Sequence, residues 1–209
     1  MTAQRKKAAP LTRRSPRQVR AHETLAVILE AAWLLLQQRG LAGFNTNRIA
    51  ERAGVSIGTL YGYFPNKQSI LVALARRLLQ ADRQAVVDAL ETAAAQGADP
   101  VRCIVRVLFQ RHRQDASLRR TLLSAYLGAG LAGDDAEQVR AQVGHIVSHP
   151  GGPLEGRSLT GAQLFVVSRA VLGVARALTE DAEALPVSDQ ALEDESVRLV
   201  RAYLDVVAG

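Results

Sequence analysis

The sequence predicts an all-α protein of about nine helices. Alanine and leucine dominate the composition while aromatic residues make up only 4%, which favours helix over sheet. Apolar residues recur at helical spacing along most of the chain, and no segment alternates as a strand does. With 209 residues and 48% hydrophobic residues, the chain is long and apolar enough to form a substantial core.

The first twenty residues are predicted to form a flexible basic arm. They contain prolines at positions 10 and 16 and no acidic residue, a composition that cannot bury a core. Such a segment can neutralise DNA phosphates, and Arg13, Arg14 and Arg17 are the candidate contacts. A disordered tail that only aids solubility is the alternative.

An amphipathic first helix is predicted to start at Ala21 and to end at Gly40. Its apolar positions follow the spacing i, i+3, i+4, i+7, i+8 and i+11, and they are Leu25, Ile28, Leu29, Ala32, Trp33 and Leu36. Gly40 stands where a left-handed residue commonly terminates a helix.

A helix-turn-helix is predicted between Asn45 and Phe64. A short second helix covers roughly Thr46 to Ala53, and a third covers roughly Ser56 to Phe64, with Ser56 as its cap. Between them, Gly54 can adopt the left-handed conformation of a tight turn. Two short helices joined by such a turn are typical of this DNA-binding motif.

The third helix is predicted to expose two glycines. If Leu60 and Phe64 point into the core, the 100° step per residue turns Gly58 and Gly62 outward. Each glycine costs about 1 kcal/mol against alanine in a helix. That cost is understandable if this face must lie close to another backbone or to base edges. A helix–helix contact that uses the same glycines is the alternative.

The rest of the chain is predicted to be helical with short breaks. A fourth helix runs from Lys67 to about Ala95, a fifth carries an apolar stripe from Val101 to Phe109, and a sixth spans about Asp115 to Leu127. A seventh lies between glycine-rich joints at 128–133 and 150–161. The eighth, about Gly161 to Thr179, is apolar nearly all round, and a ninth spans 189–207. We therefore expect three regions: an arm at 1–20, a DNA-binding domain at 21–80 with its motif at 45–64, and a second domain at 81–209.

The charge is divided between the two ends of the chain. Residues 1–67 hold 11 basic and 3 acidic side chains, a net of +8, whereas the remainder holds 15 and 17, a net of −2. This division indicates a front that binds a polyanion. The single cysteine, Cys103, allows no intrachain disulfide and fits a reducing compartment. No signal-peptide core and no apolar run of about 20 residues is apparent, so a cytoplasmic protein without membrane contact is expected.

The motif resembles the tetracycline-repressor (TetR) family of bacterial transcription regulators. The matching residues are Thr46, the run from Ile49 to Ser56, Gly58, Leu60, Tyr61, Tyr63, Phe64, Lys67 and Leu71. Many family members carry histidine where this chain has Tyr63. The resemblance implies that phosphates are held by Thr46, Ser56, Tyr61, Tyr63 and Lys67. It also implies that bases are faced by Asn47, Ile57, Gly58, Thr59 and Gly62.

The resemblance further implies a repressor that acts as a homodimer on a palindromic double-stranded DNA operator and is released by a small-molecule inducer. The inducer cavity would lie within about residues 85–180, and the last two helices would dimerise. A helix buried within a monomer is the alternative reading of 161–179. Candidate ligand contacts are Phe109, Tyr126, Phe165 and Arg169.

Enzyme and metal functions find little support in the sequence. It shows no nucleophile elbow and no glycine-rich phosphate loop after a strand, so no enzyme is expected. His145 and His149 lie four residues apart but lack a third ligand at helical spacing, so we expect neither metal nor cofactor. The alternative function is a helical carrier of small molecules whose helix-turn-helix no longer binds DNA.

Overall fold

The structure is a computed structural model that describes residues 16–130, 144, 153, 159–180 and 187–208. Over these ranges every regular element is a helix, which confirms the all-α fold. The helices are α1 (Pro16–Gly43), α2 (Thr46–Ala53), α3 (Ile57–Tyr63), α4 (Lys67–Gln96), α5 (Pro100–Arg113), α6 (Ala116–Gly128), α7 (Gly161–Glu180) and α8 (Asp189–Ala208). The predicted helix between the two glycine-rich joints lies outside the described residues.

The contacts divide the chain into two compact units, residues 1–66 and residues 67–209. The division falls at the start of α4, because this helix continues without a break to Gln96 and belongs with the helices that follow it. The domain boundary predicted at 80/81 would fall inside α4, and it stays a prediction.

In the first unit, α1 begins earlier than the sequence indicated. It starts at Pro16 rather than Ala21, so the end of the predicted arm is helical, with a proline at a position where its missing N–H costs nothing. The basic composition of the arm excludes a buried core, but it does not prevent the last residues of the arm from forming a helical turn. Arg13 and Arg14 lie outside the described residues, and Arg17 lies in the first turn of α1. Near the other end, Gly40 has φ 58° and ψ −169°, which interrupts the helix three residues before Gly43.

Aliphatic side chains, alanines and the rings of Phe44 and Phe64 form the apolar interior of the first unit. From α1 these include Ile28, Ala32 and Leu36, which lie on the predicted stripe and are at most 3% exposed. Ile49 and Ala50 are the buried residues of α2, and α2 contacts both α1 and α3. The narrow buried face of α2 leaves most of its side chains in solvent.

In the second unit, α5 is the central helix. It contacts α4, α6, α7 and α8. The buried apolar cluster that joins α5, α7 and α8 consists of Val101, Val105, Phe109, Val167, Val171, Ala175, Leu178, Val197, Val200 and Leu204. Six of the ten members are valines and Phe109 is the one aromatic member, so the cluster is mainly aliphatic.

Two described helices are long and apolar enough to cross a bilayer, a finding that corrects the expectation of no such run. They span Arg20–Gly43 and Gly161–Glu180. Length and mean hydropathy alone are weak evidence, since the core helices of helical proteins pass the same test. The first also contains Glu30, and the second contains Arg169 and Arg176.

Candidate DNA-binding surface and ligand cavity

The turn between α2 and α3 has the predicted geometry. Gly54 adopts φ 66° and ψ 28°, the left-handed conformation that glycine accepts without strain. Its N–H donates to the carbonyl of Glu51 at 3.1 Å, and the N–H of Val55 donates to the carbonyl of Ala50 at 3.0 Å. These bonds satisfy the carbonyl end of α2 and fix the direction in which α3 leaves the turn.

Each helix of the motif has a side-chain cap at its N-terminus. The Oδ1 atom of Asn45 accepts from the N–H of Arg48 at 2.9 Å and begins α2. The hydroxyl of Ser56 accepts from the N–H of Thr59 at 3.0 Å and begins α3, as predicted. The two caps set the boundaries of helices too short to be stable alone.

The third helix presents its glycines to solvent. Leu60 is fully buried and Phe64 is 6% exposed, whereas Gly58 and Gly62 are exposed. A Cβ placed on Gly62 would meet no described atom within 4 Å, and one placed on Gly58 would meet only the Ser56 hydroxyl at 3.8 Å. The described residues therefore give no helix–helix contact that would explain these glycines, and the outward face is open.

Four hydroxyl groups predicted to contact DNA are bonded to each other in two pairs. The Thr46 and Tyr61 hydroxyls lie 3.2 Å apart and link the start of α2 to α3. The Ser56 and Thr59 hydroxyls lie 2.8 Å apart. These contacts hold the side chains in place before any partner binds.

The other predicted DNA-contacting side chains are also at the surface. Ile57 is 38%, Tyr61 49% and Tyr63 37% exposed, and Asn47 and Lys67 are exposed as well. The surface therefore offers the expected groups to a partner, while the assignment of each to a phosphate or a base stays a prediction.

Sequence reasoning passed over two basic side chains of α2. Arg48 donates to the carbonyl of Gly43 at 3.4 Å, and Arg52 donates to the Gln38 side chain at 3.0 Å. Both arginines are exposed and add positive charge to the same helix. Their position on a helix that the motif places at a DNA backbone could have identified them.

The second unit contains a partly open cavity of about 210 Å³. Its walls come from α4, α5, α7 and α8, and all its described lining residues except four are aliphatic side chains or proline. The four polar ones are Asp82, Arg83, His112 and Ser168. The cavity borders the aliphatic cluster of α5, α7 and α8, which makes it a site for an apolar molecule.

A buried ion cluster stands at the polar side of this cavity. Arg119 of α6 donates to both oxygens of Asp82, at 2.6 and 3.0 Å, and the Nε atom of Arg111 donates to one of them at 2.9 Å. Burial raises the pKa of Asp82, but the hydrogen bonds and charges of the two arginines outweigh it and leave the pKa lowered. Asp82 is therefore ionised, and its single negative charge is balanced against the positive charges of two guanidinium groups.

His112 lies beside this cluster as a neutral side chain. Burial lowers its pKa, and the Arg119 and Arg111 charges act in the same direction, against the Leu108 carbonyl and Asp82. Its Nδ1 atom lies 2.8 Å from the carbonyl oxygen of Leu108, which can only accept, so Nδ1 carries the proton. The neutral ring then leaves Nε2 as an acceptor.

Comparison with known proteins supports the interpretation of the first unit. Residues 28–74 match the bacterial regulatory proteins of the tetR family. The HTH-type transcriptional regulator PksA of Bacillus subtilis is 30% identical over 95 residues, which cover 46% of this chain and 44% of PksA.

Residues 28–74 are therefore similar to the N-terminal domain of tetR-family regulators.

Solved structures share the fold over most of the chain. A TetR transcriptional regulator from Rhodococcus superposes with a TM-score of 0.62 at 23% identity, over 88% of this chain and 97% of that one. The multidrug binding protein EbrR, solved with imidazole, superposes with a TM-score of 0.58 at 18% identity, over 85% and 93%. At this identity the likeness extends to the fold alone. The chain also spans less than half the length of the curated relative PksA.

The TetR resemblance did not identify the cavity residues of this chain. Phe109 and Tyr126 are buried, and Phe165 is 51% exposed, with the Arg169 guanidinium 5.4 Å from its ring centre. None of these four candidate ligand contacts lines the cavity. All four are aromatic or charged side chains, whereas the cavity walls are mostly aliphatic. Nothing in the spacing of the sequence singled out Asp82, Arg83 or His112.

His145 and His149 lie outside the described residues, and the described ones form no cluster of three metal-ligating side chains. On α7 and α8, large apolar side chains remain in solvent, namely Phe165, Val166, Leu199 and Val206. A helix wholly buried in a monomer is therefore not what the structure shows for α7.

Proposed function

We propose that this chain is a DNA-binding transcriptional repressor that binds a palindromic operator as a homodimer and is released by a small molecule. The open glycine face of α3 carries the proposal. Gly58 and Gly62 occupy an exposed helix face where alanine would be more stable by about 1 kcal/mol at each position, and nothing described in the free protein needs them. Close approach to a DNA groove would explain both.

The side chains around this face suit the two kinds of DNA contact. Hydroxyls, a lysine and helix N-termini suit phosphate oxygens, so Thr46, Ser56, Tyr61, Tyr63 and Lys67 would position the protein. The amide of Asn47 can pair with adenine, and Thr59 can contact a thymine methyl. Ile57 and the two glycines would lie against base edges.

Two copies are proposed because one short recognition helix reaches only a few base pairs. The exposed apolar side chains of α7 and α8 support this, since Val206 is 81% and Leu199 54% exposed. Leu199 and Val206 are seven residues apart and so share one face of α8. Light scattering of the full chain should give the mass of a dimer, and Leu199→Glu should shift it towards the monomer.

A small-molecule effector is proposed from the cavity of the second unit. It is lined by four helices, is mostly apolar and carries a few polar groups, as ligand sites commonly do. A ligand in the cavity would contact its four polar lining residues.

The basic arm, with Arg13, Arg14 and Arg17, would add phosphate contacts. The proposed repressor would act in the cytoplasm without catalysing a reaction.

The decisive experiment adds a side chain to the glycine face. Gly62→Ala should raise the free energy of unfolding by up to about 1 kcal/mol, because the position is helical and open. Gly62→Leu should fold equally well yet lose at least about tenfold in affinity for the operator, which corresponds to about 1.4 kcal/mol. The operator is first selected from genomic fragments, and binding is followed by fluorescence anisotropy.

Gly128→Ala provides the matched control, because Gly128 also lies in a helix with no described atom within 4 Å of an added Cβ. It should gain stability without losing DNA affinity. If Gly62→Leu bound the operator as tightly as the unmodified protein, the glycine face would not be the DNA surface. Failure to select any fragment would favour the carrier alternative instead.

A further inference from the structure

We propose that the cavity binds an aliphatic monocarboxylate, with its carboxylate held by Arg83 and His112 and its chain along the aliphatic walls of α5, α7 and α8. This inference takes the cavity to be the effector site, so it rests on the proposed function. It goes further by naming the chemical class of the ligand and the two side chains that recognise it.

The shape and lining of the cavity define the apolar part of the ligand. The α5, α7 and α8 walls include Val101, Val105, Val167, Val171, Val200 and Leu204, and no aromatic residue is among the described lining. Such walls offer neither ring stacking nor a π face for a cation. A volume of about 210 Å³ is below the roughly 300–1,000 Å³ of sites for drug-sized ligands. A short aliphatic chain is the skeleton that fits.

The charges at the polar side exclude a cationic ligand. Asp82 is the one acidic side chain of the described lining, and both of its oxygens already accept from Arg119 or Arg111. An ammonium group would have to displace a guanidinium from a buried carboxylate, which strands that guanidinium without a counter-charge. It would also face the positive charge of Arg83.

Arg83 supplies the charge that favours an anion. It follows Asp82 on α4, lines the cavity, is partly buried and forms no ion pair or hydrogen bond with the residues that the structure describes. Arg111 and Arg119 already place two positive charges against the single negative charge of Asp82, and Arg83 adds a third positive charge to the cavity lining. An entering carboxylate would balance part of this excess, and a guanidinium can hold a carboxylate through two parallel hydrogen bonds.

His112 completes the carboxylate site through its free nitrogen. Nδ1 is bound to the Leu108 carbonyl on its own helix, so Nε2, on the opposite side of the ring, is the nitrogen left for a ligand. The charged groups facing the ring are Arg111 on α5, Asp82 on α4 and Arg119 on α6. A bound carboxylate places a negative charge beside Nε2 of His112. This charge favours protonation of the ring, with the proton shared between Nε2 and a carboxylate oxygen. Binding should therefore take up a proton from neutral solution.

The test compares three probes of equal chain length on the full-length protein by isothermal titration calorimetry: octanoate, 1-octanol and octylamine. We expect octanoate to bind at least tenfold more tightly than 1-octanol, and octylamine not to bind. Binding of 1-octanol or octylamine as tight as that of octanoate would overturn the proposal. So would the absence of any binding.

Two variants assign the recognition to side chains. Arg83→Gln should weaken octanoate at least tenfold and leave 1-octanol unchanged, whereas Arg198→Gln, which removes a surface charge from α8, should change neither. Unmodified protein should bind octanoate more tightly at pH 6 than at pH 8, while His112→Gln should bind it equally at both. Equal binding by Arg83→Gln and unmodified protein would remove Arg83 from the site.

A parallel measurement separates this inference from the proposed function. Octanoate is added to the protein–operator complex, and release is followed by anisotropy. Octanoate that binds in calorimetry without releasing DNA would leave the carboxylate site standing and overturn the proposed mode of regulation. Operator binding without any octanoate binding would overturn the carboxylate site and leave the DNA-binding function intact.

Discussion

The two compact units of this chain use their polar groups in different ways. In the first unit, Asn47, Tyr61 and Tyr63 are exposed, and several hydroxyls bond only to neighbours on the same surface. In the second unit, Asp82 and Arg119 are buried and are joined by two hydrogen bonds across two helices, while the Nε atom of Arg119 has no partner among the described residues. The first arrangement suits a surface that exchanges water for a charged partner, and the second suits a wall that must stay in place around a cavity.

This difference also separates groups that contribute to binding from groups that contribute to stability. An exposed hydroxyl or amide contributes little to folding, because water replaces its partner readily. A buried charge cannot be left alone, because its hydration is lost. Substitutions in the first unit should therefore affect DNA affinity most, whereas substitutions in the buried cluster should affect the free energy of unfolding most.

The largest effect is expected from Asp82→Asn. The amide keeps the shape of the side chain but leaves Arg119, which is 3% exposed, without its counter-charge. Breaking a buried pair in this way costs about 3–5 kcal/mol. The free energy of unfolding from urea titrations measures it.

The matched control is Glu180→Gln, which breaks the exposed pair with Arg176 on α7. Exposed pairs four residues apart on a helix contribute about 0.3–0.5 kcal/mol. If the two variants lost similar stability, burial would not distinguish the two units in the way described.

Acid should unfold the second unit in two stages. Burial lowers the pKa of His112, so its contribution to stability is present above about pH 6.5, its value when unfolded, and is lost as the pH falls below that. The pKa of Asp82 is also lowered, despite its burial, by Arg119 and Arg111. Its contribution is present above about pH 4 and is lost as the pH falls further.

Urea titrations between pH 8 and pH 3 check both stages. The variant His112→Gln should lose the pH dependence just below pH 6.5 and keep the loss at lower pH. Glu193 adds to the lower stage, because its hydrogen bond with Arg106 lowers its pKa below the ordinary value. A stability that is flat from pH 8 to pH 5 in the unmodified protein would contradict the role given to His112.

The contrast between the units explains what could be predicted from sequence. The inward Leu60 and Phe64, the outward glycines and the turn at Gly54 follow from helical spacing within about twenty residues. The ion cluster joins Asp82 to Arg119, which are 37 residues apart on different helices. No periodicity records such a pairing, because it depends on how the helices pack. The resemblance implied a cavity within about residues 85–180, but its lining depends on helix packing in the same way, and it also includes Leu79 and Leu204 outside that range.

An intermediate effect is expected from the amide of Asn47. If it contacts a base, Asn47→Ala should relax the preference at one base pair of the operator by about 1–3 kcal/mol. Lys67→Ala should weaken binding to all sequences about equally and lower the salt dependence by about one phosphate contact. Selection of binding sites from random DNA distinguishes the two. An unchanged sequence preference in Asn47→Ala would show that this amide reads no base.

The smallest effect is expected where one side chain of the first unit serves both folding and binding. Tyr61→Phe removes the hydroxyl that lies 3.2 Å from that of Thr46 and joins α2 to α3. A hydrogen bond of this kind contributes about 0.5–1.5 kcal/mol, and exposure places this one near the lower limit. Tyr63→Phe removes a hydroxyl that has no hydrogen bond to the described residues, so it should leave the free energy of unfolding unchanged.

Both tyrosine variants should nevertheless bind operator and non-operator DNA more weakly by a similar factor, since each loses a donor to phosphate. Urea titration and anisotropy on the same samples separate stability from affinity. A loss of stability in Tyr63→Phe equal to that in Tyr61→Phe would mean that the Thr46–Tyr61 contact has no special role. Unchanged affinity in both would mean that the exposed hydroxyls of α3 do not reach the DNA backbone, and the difference drawn between the two units would then depend on the glycine face and Asn47 alone.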